Sequence, residues 1–183
     1  MNTLDNIKKH LDIETDKNTS HTYTGVYHDL FKDIRLKKMN VLEIGILSGG
    51  SLVLWDEYFP YSTIFGIDIK FDLVQYGQDR PSINFIKGNA YDEQTIETFK
   101  VNNILFDIII DDGPHTLESQ ILCAEKYSQL LTENGIMVIE DVPSLEAAFT
   151  ICNNFPKDTN KKYHIIDLRY CKGRFDDIMI IFK

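Results

Sequence analysis

Five short apolar runs of strand length dominate the chain, at residues 40–44, 63–67, 83–86, 106–110 and 135–139, and each is followed by a polar or turn residue. Runs such as FDIII and GIMVI are apolar at successive positions, so both pleat faces require cover, which suits a parallel sheet with helices on two sides. The segments between them carry helical spacing. Leu52, Trp55 and Phe59 recur at i, i+3 and i+7, and apolar positions among residues 116–131 cover one broad helical face. This alternation predicts a helix in every connection. With right-handed crossovers it gives an open, doubly wound, Rossmann-like α/β sheet.

The tail follows another rule. HIIDLRY and DDIMIIF are apolar strands joined by a short connection that contains Gly173, which is too short for a βαβ unit and predicts a C-terminal antiparallel hairpin. The expected sheet is therefore seven-stranded and mostly parallel. Ahead of the first strand, TLDNIKKHLDI and HTYTGVYHDLFKDI read as two short helices, a cover formed by residues 1–38. A length of 183 residues suits one domain, 1–183, with a single core.

Charge narrows the partners. With 19 basic and 28 acidic side chains the formal charge is −9, which argues against a non-specific grip on nucleic acid or an anionic membrane. No apolar stretch is long enough to span a bilayer, and the N-terminal residues lack the apolar centre of a secretory signal. Cys123, Cys152 and Cys171 fit no disulfide or zinc spacing and read as reduced, packed thiols in a cytoplasmic protein. Association into a homo-oligomer is compatible with this reading.

In an open α/β sheet the ligand crevice lies beyond the carboxyl ends of the strands. The first strand runs into Glu43-Ile44-Gly45-Ile46-Leu47-Ser48-Gly49-Gly50-Ser51, an ExGxxxGG pattern in which glycines permit a tight turn and close backbone approach to a ligand. Asp68, at the end of the second strand and roughly 20 residues on, is placed to accept ribose hydroxyls. Together they indicate a nucleoside-containing cofactor. Strand four ends in Asp111-Asp112-Gly113-Pro114-His115 and strand five in Glu140-Asp141. Carboxylates gathered on one rim repel one another unless a cation joins them, and oxygen ligands from Asp112, Glu140 and Asp141 suit Mg2+, Ca2+ or Mn2+. A histidine side chain changes charge near neutrality, which makes His115 the candidate general base. His21, Tyr23 and Tyr27 stand in the segment expected to reach the site and to cover it.

These motifs resemble those of class I S-adenosylmethionine-dependent methyltransferases, and more narrowly the metal-dependent sugar O-methyltransferases. The resemblance is carried by TDKNTSHTYTGVYHDLF, VLEIGILSGGSLVLWDEYFP, IFGIDI, FDIIIDDGPHTLESQI, GIMVIEDV and RFDDIMIIF. It implies that Glu43, Gly45, Ser48, Gly49 and Ser51 frame the methionine part of S-adenosylmethionine, that Asp68 binds its ribose, that Asn89 and Ala90 frame the adenine, and that Asp111 and Tyr23 touch the cofactor. It further implies Mg2+ on Asp112, Glu140 and Asp141, with His115 as base, and a sugar or glycoside such as a rhamnoside as acceptor. Two other readings stay open: a catechol-type O-methyltransferase acting on another vicinal diol, and a non-catalytic nucleoside- or glycan-binding domain.

Overall fold

A computed structural model describes residues 3–183. Seven strands form one sheet: β1 (Asn40–Ile44), β2 (Thr63–Asp68), β3 (Ile83–Lys87), β4 (Phe106–Asp111), β5 (Leu131–Ile139), β6 (Tyr163–Asp167) and β7 (Ile178–Phe182). Their spatial order is β3-β2-β1-β4-β5-β7-β6. The first five strands are mutually parallel, and β7 inserts antiparallel between β5 and β6.

The apolar runs alternate between two cores. On one face Leu42, Ile109, Met137, Ile139 and Ile180 pack under α4 (Glu93–Val101), α5 (Leu117–Tyr127) and α6 (Leu145–Asn154). On the other, Val41, Ile108, Ile110, Val138 and Ile181 pack under α1 (Leu4–Lys9), α2 (Tyr23–Phe31) and α3 (Gly50–Tyr58). Full burial of each aliphatic side chain contributes about 1.5–3 kcal/mol, which favours apolar residues at most positions of strands covered on both faces. The two N-terminal helices thus cover the same face as α3. Among the described residues no helix is long and apolar enough to cross a membrane.

Four expectations change. Residues 69–82, between β2 and β3, form turns in place of the expected helix, because this stretch has no apolar helical period and contains Gly77 and Pro81. The helix after β4 ends at Tyr127; a 3-10 turn, Ser128–Leu130, leads into β5, which begins at Leu131 and not at Gly135. Strand β6 stops at Asp167, where the carboxylate accepts from the backbone N–H of Arg169 at 3.2 Å and starts a four-residue helix, α7 (Arg169–Lys172). Cys123 and Cys152 are buried, whereas Cys171, on α7, is exposed.

Candidate active site

The carboxyl ends of β1 to β5 share one rim. Because β1 lies between β2 and β4, the crossovers diverge there and a crevice opens. A cavity of about 970 Å³ occupies it. Gly45, with φ of +82°, forms its floor; a Cβ at this position would lie 2.0 Å from the Asp112 carbonyl oxygen. The opposite wall is a strap, residues 10–22, that joins α1 to α2 and contributes Ile13, Glu14, Thr15, Asp16 and Thr19. The strap rests on Gly50, where a Cβ would lie 1.9 Å from the Glu14 carbonyl oxygen.

Gly45, Ser48, Ser51, Asp68, Asn89 and Ala90 line the cavity. Asp68 Oδ2 accepts from Ile46 N and Oδ1 from Lys70 N, each at 3.1 Å, so this carboxylate braces the glycine-rich turn while keeping free lone pairs. Asn89 accepts from Tyr91 N at 3.1 Å and donates to Asp92 at 2.9 Å, and the Ala90 carbonyl accepts from Tyr127 Oη at 2.6 Å.

Glu43, Gly49, Asp111 and Tyr23, expected at the cofactor, lie behind the wall. Gly49 (φ +85°) is the left-handed cap of α3, set against the Tyr76 carbonyl. For Glu43 and Asp111 the cause is pleat alternation, which sends successive side chains to opposite faces. Asp111 falls on the α5 face, where Tyr91 Oη donates to it at 3.0 Å and burial pushes its carboxyl up to about 6. Glu43 falls on the α3 face and accepts from Ser51 Oγ at 2.7 Å. Tyr23 is fully buried and donates to Asp141 Oδ1 at 2.5 Å.

The same alternation turns Asp112 and Glu140 to the face of Glu43, and between these three carboxylates stands Lys17. Its Nζ lies 2.7 Å from Asp112 Oδ2, 2.9 and 2.8 Å from the two oxygens of Glu140, and 3.1 Å from Glu43 Oε1. The Lys17 side chain has no solvent exposure. Burial alone would push its pKa down, but Asp112, Glu140 and Glu43 more than reverse this and hold the ammonium charged. Tyr27 also donates to Glu140. Glu140, predicted beside Asp112 and Asp141 as a metal ligand, is therefore turned toward a lysine and a phenol.

Asp112 and Asp141 do come together, with His115 between them. His115 Nε2 stands 3.8 Å from Asp112 Oδ1 and 3.6 Å from Asp141 Oδ2, and one ligand atom from each of the three lies within 4.8 Å of the others. Asp112 and Asp141 are hard oxygen donors that suit a divalent cation on this side. Two of the three residues adopt left-handed backbone, His115 at φ +56° and Asp141 at +53°. Such conformations cost about 1–3 kcal/mol each and concentrate at functional sites. Asp141 is further fixed by Tyr23 and by His21, whose Nδ1 is 3.4 Å from it and 2.5 Å from the buried Asp177.

Lys17, Tyr91 and Asp177 escape a motif-based reading. Lys17 lies in the TDKNTSH stretch, and the question of which cation the rim acids face would have found it. Asp177 is hidden by its place at the head of a strand-like run.

A family model described as a methyltransferase domain matches residues 36–176. A tetracenomycin rhamnosyl 3'-O-methyltransferase of Streptomyces olivaceus is 32% identical over 129 residues, covering 67% of this chain and 32% of that protein. Mycinamicin VI 2''-O-methyltransferase of Micromonospora griseorubida is 31% identical over the same length and with the same coverage. This chain thus spans about a third of the length of these relatives. A solved structure of MycE methyltransferase with Mg, SAH and mycinamycin VI superimposes with a TM-score of 0.66 at 28% identity, covering 76% of this chain and 37% of that one. An Aeropyrum pernix fibrillarin with bound S-adenosylmethionine, 20% identical, shares the fold at a TM-score of 0.65, with 81% and 68% of the two chains covered. With the matched segment running from ahead of β1 to just short of β7, through the glycine-rich turn and both acidic strand ends, the chain belongs to the methyltransferase domain family.

Proposed function

We propose that this chain is an S-adenosylmethionine- and divalent-cation-dependent O-methyltransferase acting on a sugar hydroxyl, with His115 as general base. One observation carries the reading: Asp112 and His115 line the same cavity as Gly45 and Asp68, and Asp141 stands beside them. The printed activities of the relatives, on rhamnosyl and mycinamicin substrates, support a sugar as acceptor.

When bound, S-adenosylmethionine supplies a methyl group on a sulfonium, and a divalent cation held by Asp112 and Asp141 supplies polarisation of an acceptor hydroxyl. Residues of the chain do the rest. Asp68 offers its free lone pairs to the ribose hydroxyls, and Gly45 and Gly50 let the end of β4 and the strap close against the turn and helix that wall the cavity. His115 receives the acceptor proton at Nε2, and Asp112 and Asp141 face the positive charge it then bears. The strap covers the cavity and keeps water from competing for that proton. General base catalysis of this kind contributes about 10²–10⁴-fold.

Mass spectrometry of rhamnosides, fucosides and related glycosides incubated with the protein, S-adenosylmethionine and Mg2+ tests the proposal. The expected result is a gain of one methyl group, abolished by EDTA and restored by Mg2+. His115→Ala should lower turnover by about 10²-fold or more with cofactor affinity retained. Cofactor binding with no transfer to any sugar refutes the acceptor assignment, and activity indifferent to EDTA refutes the cation.

A further inference from the structure

The notable feature of the rim is a lysine at its centre. Lys and Glu are seldom fully buried, and then in pairs. Lys17 instead faces three carboxylates that arrive from different strands: Glu43 within β1, Asp112 after β4 and Glu140 after β5. Asp112 is shared, with Oδ2 on Lys17 and Oδ1 turned to His115. The lysine comes from the strap, which is fastened beyond it by Lys172, whose ammonium donates to the carbonyls of Thr19 and His21 at 2.5 and 2.9 Å.

We propose that Lys17 is a positioning residue that serves as a tethered cation: it balances Glu43, Asp112 and Glu140 from within the chain, seats the strap over the cavity by the same contacts, and confines an exchangeable divalent ion to the Asp112–Asp141 side. The last element rests on the function proposed above; the first two do not. Burial favours the protonated form of Glu43 and Glu140, so carboxylates gathered at one point stay ionised only where a cation meets them, and an ammonium delivered by the chain is present whether or not an ion is bound. An ion that took both oxygens of Glu140 would have to expel Lys17 and unseat residues 13–19. Among the described residues the strap also supplies cavity wall on both sides of Lys17, from Ile13 to Thr19, so the side chain that balances the acids also ties down part of the cofactor's enclosure.

The test is Lys17→Met, which keeps side-chain length and removes charge. Wild type and variant are compared by thermal unfolding and by titration with Mn2+ and Ca2+, in the absence of cofactor and acceptor. The variant should bind Mn2+ at least tenfold more tightly than wild type, and its Tm should rise with Mn2+ well beyond any wild-type rise, because the vacated acids now recruit an external cation. A variant that folds only when Mn2+ or Ca2+ is added gives the same support. With Mn2+ saturating, it should still bind S-adenosylmethionine at least tenfold more weakly, since a free ion carries no strap. A cation response no larger than that of wild type, or a variant that stays unfolded at any cation concentration, overturns the proposal and leaves Lys17 as a packing group. Unchanged cofactor affinity overturns the strap. The cation readouts need neither methyl donor nor sugar, so their failure is distinct from a failure of the methyltransferase assignment.

Discussion

Gly45→Ala probes the contact on which the whole site is built. The added Cβ would stand 2.0 Å from the Asp112 carbonyl oxygen, 2.7 Å from its carbon and 2.9 Å from Gly113 Cα, all backbone atoms, where ordinary contact begins near 3.4 Å. No rotamer relieves this; the turn after β1 and the end of β4 must separate. Alanine at φ +82° costs about 1–2 kcal/mol. The separation strains two hydrogen bonds of 2.9 Å, Asp112 N to the Ile44 carbonyl and Gly45 N to the Ile67 carbonyl, each contributing about 1 kcal/mol. The expected loss is about 3–4 kcal/mol, or roughly 10 °C in Tm for a chain of this size. Trp55, the single tryptophan and fully buried, reports the transition by fluorescence in urea. Because the same displacement moves Asp112 and the cavity floor, cofactor affinity should fall with stability. A Gly45→Ala protein within about 1 kcal/mol of wild type would refute the claim that the strand ends are in backbone contact.

Gly25 provides the opposite case. It is exposed on α2, and a Cβ added there would meet nothing within 4 Å, so Gly25→Ala should stabilise by about 1 kcal/mol through helix propensity, read as a higher urea midpoint. The thiols give a pH-dependent test. Burial pushes Cys152 up to about 11 and Cys123 well above its usual range, so at pH 8 both remain protonated and their reactivity rises only as pH climbs toward those values or the chain unfolds. Disulfide-exchange titration at pH 8 should find one fast thiol per chain, Cys171, and two more only in denaturant; three fast thiols would contradict the packing.

The parallel strands are readable because burial on both faces gives uninterrupted apolar runs, as in Ile108-Ile109-Ile110, whose middle residue belongs to one core and whose outer two belong to the other. The start of β5 is not, since Thr132, Glu133 and Asn134 look like a turn and fall in the irregularity between the pairs Phe106–Leu131 and Ile108–Ile136. Within the site, Asp112, His115 and Asp141 were legible as chemistry at neighbouring strand ends. As a set of strand-end motifs the rim nonetheless reads as a single pool of acids. Counting by twos along each strand separates it: Glu43, Asp112 and Glu140 share the face of Val41, Ile110 and Val138, and Asp111 takes the other. Lys17 lay beyond that count. Its place depends on where an irregular strap crosses the sheet, and no period in the sequence encodes such a crossing.

The claim that this cavity receives the nucleoside of a methyl donor is tested most directly by titration calorimetry of S-adenosylmethionine into wild type and Asp68→Ala, with Mg2+ present. Two hydroxyl hydrogen bonds to a carboxylate contribute about 1.5–3 kcal/mol each, so the account predicts one site per chain in wild type and binding about 100-fold weaker or more in the variant. Absence of binding to folded wild-type protein, or equal affinity in the two proteins, would contradict it.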